Sequence, residues 1–335
     1  MKPAPWPRSD ADAERLLVIR PGDGSLADRR VGELPELLGA GDLLVLNDAA
    51  TLPASLFART RAGASVELRL AGQDGDAFVA VVLGDGDFRA RTEDRPVPPA
   101  LAPGDALLVS ESAPALSATV TGIVDDGLVR LRFDRDGAEL WRALYAHGHP
   151  VQYSYVESPL SLWHVQSRFA GVPWAAEMPS AGRPLTWRTL FGLLRRGVGI
   201  ARVSHAAGLS STGRADLDRR FPLDERYSVP AETVRAIART RGRVVAVGTT
   251  VVRALESAAE SGTLRAGSGV ATLRLDASST PRVVHAVMSG MHEPGTSHFE
   301  LLSAFAPAKL LARASEHAAA RGYLAHEFGD SCLVY

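Results

Sequence analysis

The chain has 335 residues, of which 37 are basic and 38 acidic, so its formal net charge at pH 7 is −1. This balance excludes a binding mode that relies on global positive charge, and any contact with nucleic acid has to come from a local patch. The single cysteine, Cys332, excludes an intrachain disulfide and a multi-cysteine metal site. The chain shows neither a signal-peptide pattern nor an apolar run of transmembrane length, which predicts a cytoplasmic protein without a membrane partner.

The first part of the chain is predicted to be rich in strands. A proline-rich segment, Met1–Ala13, is expected to be a loose arm, and strands are predicted at Arg15–Ile19 and Leu43–Leu46. Between residues 57 and 134, short β-rich runs alternate with Gly, Asp and Pro turns. Several short strands at this spacing are typical of a small antiparallel barrel, so we predict an inserted β-barrel domain at 57–134.

The remainder of the chain alternates between helix and strand. Helices are predicted at Gly137–Ala146, Leu185–Arg196, Ala231–Arg241, Val251–Ala259 and Ala306–Arg321. Apolar strands lie between them, and such alternation is typical of a sheet covered by helices. The predicted fold class is therefore α/β. Residues 1–56 and 135–335 form a helix-covered sheet domain, which is the catalytic domain, and a small antiparallel β-barrel domain is inserted into it.

The most informative stretch is Val244–Ser257, with the sequence VVAVGTTVVRALES. Its apolar start predicts a buried strand, and a helix follows after the turn at Gly248. Glycine permits a tight turn, and the hydroxyl of Thr249 or Thr250 is expected to cap the helix. Free N–H groups at such a helix start favour a carboxylate or a phosphate, and a capped structural helix is the alternative.

Four further blocks accompany this stretch: Gly41–Leu56, Met178–Gly182, Ser289–Phe305 and Phe328–Asp330. In this order and spacing the set resembles the S-adenosylmethionine:tRNA ribosyltransferase-isomerases of queuosine biosynthesis, over about residues 15 to 335. The resemblance implies an α/β domain with an inserted β-barrel. It also implies an enzyme that transfers the ribosyl part of S-adenosylmethionine to a 7-deazaguanine base in tRNA and rearranges it. Adenine and methionine leave, and the resemblance implies no metal and no redox cofactor, because S-adenosylmethionine is a co-substrate.

Three residues are candidates for the proton transfers that this chemistry needs. His292 follows a predicted strand and lies in a His-x-Pro run that the family shares, and a surface histidine is the alternative. Glu293 stands where the family has an apolar residue and is expected to assist His292. His205 follows the predicted strand Val198–Val203, where the family has a histidine that lines its pocket, and a satisfied structural histidine is the alternative.

The other candidates are expected to bind substrate. Arg253 lies one turn into the helix after Gly248, with Glu256 at i+3 as the residue expected to orient it, and an exposed ion pair is the alternative. The resemblance assigns substrate contacts to Asn47, Asp48, Arg59, Pro179, Ser180, Ala181, Gly182, Glu225, Gly248, Thr249, Thr250, Arg253 and Asp330. A turn-forming pair is the alternative for Asn47-Asp48, and a structural turn is the alternative for Asp330.

The chain departs from the family pattern at three places. Ala50 stands where the family has an arginine, and family histidines are replaced at Pro184 and Leu223. These losses favour a second hypothesis, a paralogue that uses S-adenosylmethionine or a related nucleoside on a small molecule without tRNA. A binding protein with a decayed active site is the third hypothesis. No sequence pattern specifies the oligomeric state.

Overall fold

A computed structural model describes residues 1–125, 127–220 and 222–335 of the chain. These residues form a large mixed sheet with helices on both faces and a closed antiparallel barrel. The predicted α/β fold class with its β-barrel is confirmed. No helix in these ranges combines the length and apolar character needed to cross a membrane.

The elements are numbered in chain order. The strands are β1 (Lys2–Pro3), β2 (Arg15–Arg20), β3 (Ser25–Arg30), β4 (Leu43–Asn47), β5 (Ala49–Thr51), β6 (Ser55–Thr60), β7 (Ser65–Asp74), β8 (Ala77–Leu83), β9 (Ala106–Ser110), β10 (Leu116–Asp125), β11 (Leu128–Phe133), β12 (Val172–Ala175), β13 (Gly199–His205), β14 (Glu225–Val229), β15 (Val244–Val247), β16 (Gly267–Ala271), β17 (Ala286–Gly290), β18 (Leu324–Ala325) and β19 (Ser331–Val334). The helices are α1 (Leu34–Leu37), α2 (Gly137–His147), α3 (Trp187–Arg195), α4 (Ala215–Asp218), α5 (Ala231–Arg239), α6 (Thr249–Ala258), α7 (Ser297–Leu302) and α8 (Ala308–Ala320).

The large sheet has nine strands in the order β16-β14-β13-β4-β15-β17-β19-β2-β3. Strands β13, β4, β15 and β17 are mutually parallel, whereas β19 runs antiparallel to β17 and parallel to β2. Four neighbouring strands therefore end at one edge of the sheet, and β19 and β2 begin at that same edge. In open α/β sheets this edge is where ligands bind.

The core lies on both faces of this sheet because successive side chains of a strand point to opposite faces. In β15, Val244 and Ala246 pack with α6 and α8, whereas Val245 and Val247 pack with the α1 and α3 side. All four residues are buried, as expected for a central parallel strand covered on both faces. The rigid centre of the sheet thus fixes the position of the turn that follows β15.

Strands β6 to β11 close into the barrel in the order β10-β11-β8-β7-β6-β9. Buried and exposed residues alternate along β11, so its apolar side chains fill the barrel interior and its arginines face outward. The barrel strands begin at Ser55 and end at Phe133. The division into a domain of residues 57–134 and a domain formed by the rest stays a prediction.

The expectation of a loose N-terminal arm is wrong. Strand β1 pairs with β18, Ala4 is buried, and Arg8 donates a hydrogen bond to the Asp330 carboxylate at 2.7 Å. These partners, β18 and Asp330, lie near the other end of the chain, so the arm's own polar, proline-rich sequence gives no sign of them.

Candidate active site

Predicted site residues gather where the parallel strands of the sheet end. Asn47 ends β4, His205 ends β13, Gly248 follows β15, and His292 lies two residues after β17. Asp330 directly precedes β19 and therefore lies at the same edge. The topology thus places candidate residues from five separate parts of the chain at one edge of the sheet.

Asn47 connects three elements at this edge. Its side-chain amide donates to the backbone oxygen of His205 at 3.0 Å and to the Thr250 hydroxyl at 3.2 Å. Its side-chain oxygen accepts from the backbone N–H of His205 at 3.0 Å and of Ala49 at 3.1 Å. These bonds tie the ends of β4 and β13 to the start of α6, so Asn47 sets the spacing of the residues around it.

Asp48 faces the neighbouring strand. The Ser204 hydroxyl donates to its carboxylate at 2.5 Å, and the guanidinium of Arg202 lies 3.3 Å from it. Asp48 is buried, and groups of β13 are the polar partners of its side-chain oxygens. Its predicted contact with substrate stays a prediction.

The turn after β15 places a helix start at the edge. Gly248 has φ +96°, a conformation that favours glycine, and it occupies the N-cap position of α6. The expected capping by a threonine hydroxyl is wrong: Thr249 and Thr250 are the first two residues of the helix, and none of the side chains that the structure describes caps it. The first backbone N–H groups of a helix have no partner within the helix, so this end carries the partial positive charge that favours an anion.

The short turn Ser180–Gly182, which follows Pro179, packs against this helix start. A Cβ added at Gly248 would lie 3.5 Å from the Cβ of Ala181. A Cβ at Gly182 would lie only 2.7 Å from the ring of Phe169, so a larger residue would force the ring aside. Two closely approaching backbone segments therefore face each other beside the ends of β15 and β17.

His205 is the last residue of β13 at this edge of the sheet, and its side chain is fully buried. Neither ring nitrogen has a hydrogen-bond partner among the described residues, and Nε2 lies 3.6 Å from the Glu225 carboxylate. Burial and the neighbouring Arg253 guanidinium lower the pKa of His205 to about 3, so the ring is neutral at neutral pH. Its catalytic role stays a prediction.

Arg253 and Glu225 form a buried ion pair behind His205. The Arg253 guanidinium donates to the Glu225 carboxylate and to the backbone oxygens of Leu223, Ala271 and Leu273. Burial raises the pKa of Glu225, and the Arg253 charge acts against this rise. The guanidinium is thus engaged by the protein itself, whereas the sequence predicted that it points to a ligand.

The expectation that Glu256 orients Arg253 is wrong. The Glu256 carboxylate accepts from the backbone N–H groups of Arg282, Val283 and Val284, at 2.8, 3.0 and 2.9 Å. It therefore fixes the segment that leads into β17. Glu256 does lie one helical turn after Arg253. Its carboxylate is nevertheless bound by N–H groups from a segment remote in sequence, which the local spacing does not reveal.

His292 is held in a defined orientation. Its Nε2 lies 2.8 Å from the Ser289 hydroxyl, and its ring stacks on His298, with centroids 4.6 Å apart and planes inclined by 12°. Burial lowers the pKa of His292 well below its usual range, and His298 and His326 lower it further. In the neutral tautomer that donates its Nε2 hydrogen to the Ser289 hydroxyl oxygen, Nδ1 carries no hydrogen and can accept a substrate proton.

The two acidic candidates near His292 have partners within the chain. Glu293 is largely exposed and lies 2.9 Å from the N-terminal ammonium of Met1. The Asp330 carboxylate is buried and accepts from Arg8, from the backbone N–H of Arg15 at 3.1 Å and from that of Leu324 at 2.8 Å. Asp330 thus secures the N-terminal arm to the start of β19, which is the structural alternative given for it.

Arg59 does not join this group. It lies on barrel strand β6, its side chain is exposed, and its paired neighbours are Ser65 and Leu108. Its predicted contact with substrate stays a prediction, and it would require the substrate to reach the barrel.

Two tyrosine–glutamate pairs near the edge were missed by the sequence analysis. The Tyr153 hydroxyl donates to Glu177 at 2.5 Å, the Tyr155 hydroxyl donates to Glu327, and the two phenol rings stack with centroids 6.0 Å apart. Burial and the charge of Glu327 raise the pKa of Glu177 to about 7. The one available signal was the position of Glu177 directly before the Met178–Gly182 block.

The described ranges contain no group of three or more His, Cys, Asp or Glu residues arranged to hold a metal ion. The arrangement at the edge consists of neutral imidazoles, a helix start and backbone turns. Such groups can move protons and bind a carboxylate or hydroxyls.

Comparison with known proteins identifies the family. A family model described as queuosine biosynthesis protein matches residues 2–334. The chain belongs to this family. Among its curated relatives, the S-adenosylmethionine:tRNA ribosyltransferase-isomerase of Methylocella silvestris is 35% identical, over 98% of this chain and 93% of that protein. The protein of the same name from Anaeromyxobacter sp. strain K is 34% identical, over 98% and 94%.

A solved structure of the family shares the architecture. The crystal structure of the S-adenosylmethionine tRNA ribosyltransferase of Thermotoga maritima matches with a TM-score of 0.53 and 27% identity. The match covers 99% of this chain and 96% of that one. The resemblance that the motifs indicated is confirmed over the whole length of the chain.

Proposed function

We propose that this protein is an S-adenosylmethionine:tRNA ribosyltransferase-isomerase that acts in the cytoplasm. It transfers the ribosyl part of S-adenosylmethionine to the aminomethyl arm of a 7-deazaguanine base in tRNA. The sugar is rearranged to an epoxycyclopentanediol, and adenine and methionine are released. The observation that carries the proposal is the full-length relationship to curated proteins of that name. S-adenosylmethionine is the co-substrate, and the proposal includes neither a metal nor a redox cofactor.

His292 is the proposed base. The sulfonium of S-adenosylmethionine acidifies the hydrogens on C5′, and a neutral imidazole can take one of them. As the base, the ring carries its hydrogen on Nε2 and donates it to the Ser289 hydroxyl oxygen, so the unprotonated Nδ1 receives the proton. The lowered pKa of His292 keeps the ring neutral and ready to accept it at neutral pH. The proton that His292 gains is then available to the departing adenine, so the same ring serves as base and as acid.

The helix start of α6 is the proposed site for the methionine carboxylate. Thr249 and Thr250 begin the helix with N–H groups that have no side-chain cap. The adjacent Ser180–Gly182 turn supplies a hydroxyl and further backbone groups for the ribose. Asn47 holds Thr250 in place through its side-chain amide.

The departures from the family pattern favour the second candidate, a paralogue that acts on a small molecule. At one of these positions, Leu223 offers its backbone oxygen to Arg253, where the family has a histidine side chain. Directly before another of these positions, Pro184, the side chain of Arg183 packs over the Phe328 ring, 5.2 Å from its centroid. This candidate keeps S-adenosylmethionine and differs in the acceptor.

One experiment separates the two candidates. The protein is incubated with S-adenosylmethionine alone, with unmodified tRNA, and with tRNA that carries 7-aminomethyl-7-deazaguanine, and adenine and methionine are measured by mass spectrometry. We expect adenine and methionine to be released only in the arm that contains the modified tRNA. In that arm the modified nucleoside of the tRNA should also be heavier by the mass of the rearranged sugar. Release that is independent of tRNA supports the small-molecule candidate, and no release with the modified tRNA contradicts the proposed function.

A further inference from the structure

An open cleft of about 490 Å³ lies beside the candidate active site, and arginines dominate its walls. Its charged lining residues are Arg8, Arg15, Asp28, Arg29, Arg30 and Glu33. We propose that this cleft binds the phosphate backbone of the RNA strand next to the base that is modified. The inference rests on the proposed function, because it names the surface that would hold the tRNA.

The cleft lies at the same edge of the sheet as His292. Gly290 at the end of β17 pairs with Ser331, Ser331 pairs with Leu16, and Arg15 pairs with Arg30. Three strand spacings of ~4.8 Å therefore separate the end of β17 from the end of β3, roughly 14 Å in all. A few nucleotides of an RNA strand span this distance, so a base at His292 would bring neighbouring phosphates over the arginines.

The carboxylates of the cleft are already engaged. Asp28 lies 3.0 Å from His317 and 3.6 Å from Arg321, and it accepts from the Tyr323 hydroxyl at 2.7 Å. The Glu33 carboxylate accepts from the backbone N–H of Arg30 at 2.6 Å. These contacts offset much of the negative charge that would repel a phosphate.

Two guanidinium groups have no carboxylate partner in the described part of the chain, and one of them, Arg29, donates to the adjacent backbone oxygen of Asp28 at 3.2 Å. Arg8 is bonded to Asp330, and Arg15 lies over the Tyr323 ring at 3.8 Å and donates to the backbone oxygen of Arg321. Arg29 and Arg30 are exposed at the end of β3, and in the described part of the chain neither forms an ion pair within 4.0 Å. They are the residues on which the proposal is tested.

The chemistry of the cleft fits phosphate. The planar guanidinium fork matches two phosphate oxygens at once, whereas an isolated surface arginine gains little from a single carboxylate. The net charge of the whole chain is −1, so attraction to RNA needs such a local concentration of arginine. The cleft would therefore supply the attraction to RNA that the overall composition does not.

The test is a charge-removing double variant, Arg29→Gln with Arg30→Gln. The matched control is Arg239→Gln with Arg241→Gln, which removes the same charge from two exposed arginines that precede β15, at the opposite edge of the sheet. For each protein we measure the Kd for the modified tRNA over a range of salt concentrations, the Kd for S-adenosylmethionine, and adenine release at saturating tRNA.

We expect the Arg29/Arg30 variant to bind the tRNA on the order of ten-fold more weakly at about 0.15 M salt. The slope of log Kd against log salt concentration should become flatter by about two, one for each lost phosphate contact. The affinity for S-adenosylmethionine and the rate at saturating tRNA should match those of the wild type, and the control should bind tRNA like the wild type.

Three results would overturn the proposal. They are an unchanged Kd and salt slope for tRNA in the Arg29/Arg30 variant, an equal loss of tRNA affinity in the control, or an equal loss of affinity for S-adenosylmethionine. Failure of the proposed function gives a different result, because the wild type would then release no adenine with the modified tRNA. Binding of tRNA is measured directly, so the cleft is tested in either case.

Discussion

His298 stacks face to face on His292, with ring centroids 4.6 Å apart and planes inclined by 12°. Two imidazoles this close repel each other strongly when both are protonated to the positively charged form. His298 therefore favours the neutral form of His292. Burial and Arg253 lower the pKa of His298, and His326 also faces this region and lowers the pKa of His292. The stacked pair therefore supplies both the orientation and the protonation state that a base requires.

Replacing His298 with phenylalanine should change the pH dependence of the reaction. The phenylalanine ring can still stack on His292, but it cannot carry a positive charge. Because the repulsion from His298 is lost, the pKa of His292 should rise. The acidic limb of the kcat/KM profile for adenine release should then move to higher pH. His298→Ala serves as the comparison, because it removes stacking as well and should also lower the rate at the plateau. An unchanged acidic limb in His298→Phe would show that the pair does not control the base.

His292→Ala should remove most of the turnover and leave the fold intact. Loss of a general acid–base group costs about 10²–10⁴ in rate, and the side chain is held by a single hydroxyl and one ring contact. Glu293→Ala is the comparison, because Glu293 is the candidate expected to assist His292, and its contact with the N-terminal ammonium predicts a small effect on adenine release. Near-normal release by His292→Ala, beside an inactive His205→Ala, would assign the chemistry to the other histidine.

The position of the candidate site could be predicted because strand ends are visible in the sequence. The apolar run before Gly248 and the strand before His205 each marked a chain segment that ends at the ligand-binding edge. The barrel could be predicted for a similar reason, since short strands separated by turn residues have a local signature. Both signals depend only on neighbouring residues.

The contacts made by these residues could not be predicted, because they join remote segments. Arg253 pairs with Glu225, 28 positions away, although Glu256 lies much nearer in sequence. Met1 reaches Glu293, 292 positions along the chain. Local periodicity carries no information on such pairings, so the sequence could not show that Arg253, assigned to substrate binding, and Glu293, assigned to proton transfer, have partners within the chain.

Arg253→Leu should reduce the stability of the protein strongly. The substitution leaves the Glu225 carboxylate buried without its cation and removes donors from three backbone oxygens. Breaking one side of a buried ion pair typically costs about 3–5 kcal/mol in free energy of unfolding. Urea denaturation would measure this loss.

Arg132→Leu is the control for this measurement. It breaks the exposed pair with Asp76, whose two side chains are both largely solvent-accessible, and should cost less than about 1 kcal/mol. A small loss of stability in Arg253→Leu, combined with a large loss of affinity for S-adenosylmethionine, would restore the original assignment of Arg253 to the substrate.

Glu14→Gln should make the stability of the protein less sensitive to alkaline pH. Burial raises the pKa of Glu14 from 4.5 to about 8, and its side chain accepts a hydrogen bond from the Ser331 hydroxyl at 2.9 Å. A carboxyl whose pKa is raised in the folded state contributes stability below its unfolded pKa and loses it as the pH rises through the folded pKa. The wild type should therefore lose up to about 4 kcal/mol of its free energy of unfolding from this group between about pH 4.5 and 8. Glutamine keeps the oxygen that accepts from Ser331 and carries no charge, so the variant should equal or exceed the wild type in stability at pH 8, by urea denaturation. A variant that is less stable than the wild type at pH 8 would show that Glu14 is ionised and favourably paired in the folded protein.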